Sequence, residues 1–212
     1  MEAKCKGTIG PEVYQQNAFH PLRVESVTEQ LRLLSYAGYT SVLEVGIGVG
    51  FLRHCLTYFP SISHVTFDLD ERLSPDYVGT VTNMPFSDSQ FDVVLCCEVL
   101  EHLPFGDFPF ALRELNRVAK NTVILSLPDK TRHFGVAVCF ARLGWFTYEY
   151  NPARRRFAKG GLGSNSEHYW EIGCKGSLTK HVLAKINKAG FRVERHYRLW
   201  KHPWHHFFLL NK

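Results

Sequence analysis

The stretch VLEVGIGVGF, Val42 to Phe51, decides how the chain is read. An apolar run interrupted only by Glu44 leads straight into glycines at 46, 48 and 50, and Phe51 opens the next apolar segment, FLRHCLTYF (51–59). Alternate glycines strip one turn of its side chains, so the backbone can take left-handed conformations or let a ligand approach closely. The predicted unit is a strand, a bare turn and a helix ended by Pro60.

Working outward, LRVESVTEQLRLLSY (22–36) sets Leu22, Val27, Leu31 and Leu34 at helical spacing, within an N-terminal helical segment assigned to 1–38. Downstream, HVTFDLD (64–70), YVGTV (77–81), DVVLCC (92–97) and TVILSL (122–127) read as strands. They are almost continuously apolar, as parallel strands covered on both faces are. Asp107 is a predicted N-cap, and Phe108, Ala111, Leu112, Leu115, Val118 and Ala119 form one helical stripe behind it. After Pro128 the rhythm stops for the stretch 129–176, a predicted cap or substrate-binding insertion. It resumes in SLTKHVLAKINKAG, with Ser177 as predicted N-cap and Gly190 as stop, and the chain closes with FRVERHYRL (191–199) and HHFFLL (205–210). The fold class is therefore α/β: a Rossmann-like, doubly wound, mostly parallel seven-stranded sheet in one domain spanning 1–212, with an inserted cap before the last helix.

Composition fits one domain of this kind: 212 residues, 45% hydrophobic, formal charge +5. The charge alone names no partner, and nucleic acid is not the expected one. Six cysteines without a C-x-x-C pair suggest neither a disulfide framework nor a zinc ribbon. No window approaches the roughly 18 apolar residues of a membrane span, so the expectation is a cytoplasmic protein with no transmembrane segment.

Doubly wound sheets bind ligands at the carboxyl ends of their strands, where the strand order reverses, and the glycine turn lies there. A dinucleotide fingerprint needs G-x-G-x-x-G, and Phe51 stands at the third glycine's place, which argues against a nicotinamide-dependent reductase. Asp68, 22 positions after Gly46, falls where a carboxylate accepts ribose hydroxyls. An adenosine ligand without a pyrophosphate points to S-adenosylmethionine, with Glu44 facing its ammonium group.

The stretches VLEVGIGVG, FDLD, NMPFSDSQFDVVLCCEVLEHL, LRELNRV and VILSLP, over roughly residues 40–128, resemble class I S-adenosylmethionine-dependent methyltransferases, most closely the type 11 group. The resemblance implies cofactor contacts at Glu44, Gly46, Gly48, Gly50 and Asp68, with Met84 near the adenine and Glu98 beneath the methionine end. Two positions depart from the group: Thr80 stands where an aspartate is frequent, and AKNT replaces a Pro-Gly-Gly turn after the Arg-Val helix.

For the acceptor, a hydroxyl or acid requires proton removal, and His102 and His168 are the candidate catalytic bases, with Glu171 as a third catalytic candidate and Glu167 and Tyr169 alongside. Of His205 and His206, adjacent on a predicted strand, one is expected to face outward. Glu98, Glu101 and His102 fall at helical spacing, and with His168 this pattern resembles the metal site of small-RNA 3′-terminal 2′-O-methyltransferases. The same E-V-L-E-H-L occurs without metal in type 11 enzymes, and the Phe-x-Pro-Pro stretch of the RNA enzymes is missing, so no metal is assigned. Arg154, Arg155, Arg156 and Lys159 form the basic cluster of the cap. The cap aromatics Phe134, Phe140, Trp145, Phe146, Tyr148 and Trp170 are expected to line the acceptor pocket or cover the sheet. The leading expectation is methyl transfer to a small-molecule or lipid-like acceptor. Its rivals are a metal-assisted RNA 2′-O-methyltransferase and a non-catalytic S-adenosylmethionine-binding module.

Overall fold

The computed structural model describes residues 20–35, 38–140, 144–150 and 168–212. Seven strands form the central sheet: β1 (Ser41–Val45), β2 (Ser63–Asp68), β3 (Tyr77–Val78), β4 (Phe91–Cys97), β5 (Ala119–Pro128), β8 (Arg192–Leu199) and β9 (His202–Asn211). Their order is β3-β2-β1-β4-β5-β9-β8. Strands β1 to β5 pair in parallel, and β9 runs antiparallel to both β5 and β8. The order reverses between β1 and β4, which puts the switch point where the glycine turn leaves β1.

Both faces of the sheet are apolar because its residues alternate between two covered sides. Leu43, Val45, Val94, Cys96, Val123 and Leu125 meet helices α3 (Phe108–Val118) and α4 (Thr179–Lys188) on one side. Val42, Val93, Leu95, Ile124 and Phe207 meet α1 (Pro21–Ser35) and α2 (Phe51–Leu56) on the other. Between β5 and α4 the chain forms a separate antiparallel ribbon, β6 (Phe134–Phe140) and β7 (Gly144–Tyr150). The predicted cap thus begins as a two-stranded hairpin, and the basic cluster Arg154–Lys159 lies outside the described residues.

Several local expectations change. The helix after the glycines stops at Leu56, four residues before Pro60, and the strand predicted at 77–81 is only Tyr77–Val78. Asp107 occupies the N-cap position of α3, but its side chain makes no capping bond; its carbonyl accepts the first amides, from Phe110 and Ala111. Ser177 does not cap α4, whose N-cap is Leu178, because its Oγ donates to the Glu171 carbonyl at 2.7 Å. Gly190, at φ +93°, ends α4 as expected.

Candidate active site

The glycine turn is built from its backbone. Gly46, Gly48 and Gly50 all have positive φ, at 85°, 53° and 69°. A Cβ at Gly46 would overlap Cγ2 of Val99, so glycine is required there by sterics as well as by φ. Asp68, at the end of β2, accepts the Ile47 N–H at 2.9 Å through Oδ2 and the Asp70 N–H at 2.9 Å through Oδ1. One carboxylate therefore fixes the turn while lining the cavity; burial pushes its pKa up.

The turn forms one wall of a cavity of about 750 Å³ at the carboxyl ends of β1 and β4. Glu44, Gly46, Gly48 and Asp68 line this wall, and Gly79, Thr80 and Val81 continue it. Gly50 is not among the lining residues: it starts α2. Met84 does not line the cavity either, contrary to the expectation at the adenine, because it is buried in the core while its N–H donates to Glu114 at 2.9 Å. Glu44 is buried, with Oε2 3.0 Å from His64 Nε2, outside hydrogen-bond geometry. Its pKa is raised by burial.

Another part of the lining comes from the segment after β4, which adjoins the turn through Val99. The predicted helix carrying Glu98, Glu101 and His102 is instead a left-handed residue followed by one 3₁₀ turn, Leu100–His102. Glu98 has φ +55°, a conformation costing a non-glycine residue about 1–2 kcal/mol. Two bonds across β4 and β5 oppose that cost: its N–H donates to the Ser126 carbonyl at 3.1 Å, and Ser126 Oγ donates to Glu98 Oε1 at 2.8 Å. Burial raises the Glu98 carboxyl to a pKa of about 8 and that of Glu101 well above the usual range.

His168 reaches this wall because its segment is stitched to the 3₁₀ turn. The Tyr169 N–H donates to the Glu101 carbonyl at 2.8 Å, and Trp170 Nε1 donates to the Leu103 carbonyl at 3.1 Å. The imidazoles of His102 and His168 consequently meet edge to face, 4.9 Å between centroids. His168 Nδ1 is 2.9 Å from Glu171 Oε1, and Glu171 is also paired with Lys130 Nζ at 2.8 Å. Burial alone would raise the Glu171 pKa, but these two partners lower it. Glu171 lies behind His168 and not on the cavity, so it orients the imidazole and has no direct access to an acceptor.

Glu101 is fully buried, and neither of its carboxylate oxygens makes a hydrogen bond. Nε2 of His102 and of His168 each stand 3.9 Å from its Oε1. Among the described residues these three form one group able to hold a metal ion, their ligand atoms all within 4.8 Å of one another.

Neither adjacent histidine of β9 faces outward. His205 lines the cavity, its Nε2 3.5 Å from Glu98 Oε2 and its Nδ1 3.0 Å from Ser26 Oγ of α1. Burial, then His202, lower its pKa to about 3, leaving a neutral imidazole. His206 points to the other face, against Asp129 at 2.8 Å. Sequence reading missed His202, Trp204 and His205 as cavity residues, since only the pairing of His205 with Pro128 brings them to the mouth. Among the cap aromatics, Trp170 is a core residue, Phe134 and Tyr148 are exposed away from the cavity, and the side chains of Phe140, Trp145 and Phe146 lie outside the described residues.

Residues 43–127 match a family model described as a methyltransferase domain. No curated protein sequence matches the chain significantly. Among solved structures, it is similar to a SAM-dependent methyltransferase from Aquifex aeolicus, with 17% identity over 96% of this chain and 99% of that one and a TM-score of 0.59. Magnesium protoporphyrin IX methyltransferase from Synechocystis, solved with SAH bound, shares 17% identity over 90% of this chain and 85% of its own, with a TM-score of 0.63. The methyltransferase domain of bacterial CtHen1 shares 16% over 90% and 100%, with a TM-score of 0.60.

Proposed function

The chain is a class I S-adenosylmethionine-dependent methyltransferase of the type 11 group, and from that premise we propose that it methylates a hydroxyl of a small or lipid-like acceptor. The residues fit the donor. A turn without side chains, the Asp68 carboxylate beside it and the buried Glu44 oxygen without a hydrogen bond suit an adenosine that carries a cationic amino acid. When bound, S-adenosylmethionine supplies an electrophilic methyl group on a sulfonium centre. A hydroxyl acceptor attacking that group would have to lose its proton, and His168 or His102 would take it.

The observation that carries the hydroxyl reading is His168, held by Glu171 at 2.9 Å and set beside His102 in the same cavity as the glycine turn. A histidine oriented by a carboxylate is equipped to take a proton. Tyr169, Leu103, Pro104 and Trp204, next to it on the cavity, suit an acceptor with an apolar portion.

A second reading has its own observation, the buried and unbonded carboxylate of Glu101 facing two imidazoles. Glu101, His102 and His168 would hold a divalent ion, which lowers the pKa of a coordinated hydroxyl. His168 Nδ1 lies 2.9 Å from Glu171 Oε1 and its Nε2 is 3.9 Å from Glu101 Oε1; a carboxylate on the far ring nitrogen is usual for metal-binding histidines.

One experiment separates the two. Labelled methyl is transferred from S-adenosylmethionine into a cell extract, with and without chelator, and counted in organic-soluble and RNA fractions. Chelator-resistant label in the organic phase supports the first reading. Chelator-sensitive label supports the second, and if it appears in RNA the small-acceptor assignment falls.

A further inference from the structure

Glu44 Oε2 and His64 Nε2 lie 3.0 Å apart, both side chains are buried, and neither atom makes a hydrogen bond. The register of β1 and β2 brings them together. Val42 lies opposite His64 and Glu44 opposite Thr66 in this parallel pair, so the two side chains share one face of the sheet. Glu44 lines the cavity and His64 does not. The imidazole can therefore act on a ligand only through the carboxylate.

A carboxylate buried alone tends to take up a proton, and burial does push the Glu44 pKa up. His64 works against that burial, Arg53 does so from beyond ion-pair distance, and Asp68 adds to it. Arg53 is engaged elsewhere, donating to Asp76 Oδ1 at 2.9 Å and to the Ser74 carbonyl at 3.0 Å. Asp68 accepts the amides of Ile47 and Asp70. Asp76, the other acid that feels His64, accepts the Thr66 amide and hydroxyl at 2.8 and 2.7 Å. From β4 the neighbour is Cys97, whose thiol burial keeps protonated. Among the described residues, His64 is thus the one titratable group within ion-pair distance of Glu44.

We propose that His64 is a positioning residue of the cofactor site, whose imidazole keeps the Glu44 carboxylate ionised and aimed at the ammonium group of S-adenosylmethionine. This rests on the reading that Glu44 meets that ammonium. An ionised Glu44 attracts the ammonium and a protonated one does not. Removing His64 takes away a cause that lowers the Glu44 pKa, so the carboxyl should protonate at higher pH and the contact should be lost there.

The test is calorimetric titration of the full chain from about pH 5 to about pH 8, with S-adenosylhomocysteine and with 5′-methylthioadenosine, the same nucleoside thioether without the amino acid. Asp68 concerns the nucleoside that both ligands share, so the difference between them isolates Glu44. His64→Leu should bind S-adenosylhomocysteine about tenfold more weakly at pH 7 and move the acid limb of its affinity to higher pH. Its circular dichroism and 5′-methylthioadenosine affinity should stay unchanged. His64→Gln, which puts an amide donor in the place of Nε2, should recover most of the loss. A parental S-adenosylhomocysteine profile in His64→Leu, equal losses for both ligands, or a glutamine variant as weak as the leucine one would overturn the proposal. Glu44→Gln distinguishes the premise: if it leaves both affinities unchanged, the ammonium reading falls and the proposal with it. If it weakens S-adenosylhomocysteine alone while His64→Leu has no effect, the role of His64 fails and the reading of Glu44 stands.

Discussion

Single residues form the proposed donor half of the site. Gly46→Ala places a Cβ on Val99 and requires φ +85° of an L-residue, so it should abolish S-adenosylhomocysteine binding in a calorimetric titration and lower Tm. Gly106→Ala has open space around it and should change neither. Asp68→Ala removes both a candidate ligand group and the acceptor of the Ile47 amide; a loss of affinity of about tenfold or more is expected in the same titration. The bare turn itself was legible before any coordinates, because alternate glycines at a strand end have few uses besides positive φ or close approach, and the structure has all three at positive φ. Met84 was not: its role came from resemblance alone, and the bond from its amide to Glu114 turns it into the core.

At the scale of elements, the decisive one is the short connection after β4. Its E-V-L-E-H spacing suggests a helical face, yet the chain forms a left-handed residue and one 3₁₀ turn. A Ser126 hydroxyl and carbonyl on β5 outweigh the local preference. His102 and His168 were both candidates from sequence, but the stitches from Tyr169 and Trp170 that join them belong to tertiary structure. So does the arrival of His205, which depends on β9 pairing antiparallel with β5. Glu171→Gln should leave S-adenosylhomocysteine affinity intact and lower kcat less than His168→Ala does, since Glu171 acts only through the imidazole. A pH–rate profile of this variant should shift relative to the parent, which a merely structural residue would not produce.

Across the whole molecule, one buried charge cluster locks the end of the sheet. Asp129, after β5, accepts Arg198 Nε of β8 at 3.0 Å and bonds His206 of β9 at 2.8 Å, and Thr131 closes the group. His206 Nε2 continues to His196 Nδ1 of β8 at 2.9 Å. Burial alone would raise the Asp129 pKa, but the bonds from His206, Arg198 and Thr131 outweigh it and bring the value to about 2, against an ordinary 3.8. A depressed folded pKa adds stability above the unfolded value and loses it as pH falls through the folded one. Asp129 should thus contribute about 2 kcal/mol that disappears between roughly pH 4 and pH 2. In urea titrations across that window Asp129→Asn should flatten the acid limb. At pH 7 it should cost about 3–5 kcal/mol, because Arg198 is left buried without its counter-charge.

The central claim is that the histidine wall works on the acceptor while the glycine wall holds the donor. The measurement that tests it most directly is labelled-methyl transfer by His168→Ala beside the parent enzyme, with S-adenosylhomocysteine affinity measured on both. The account predicts unchanged affinity and a rate lower by about 10²–10⁴-fold. Parental turnover in the variant, or loss of cofactor affinity in step with the rate, would contradict it.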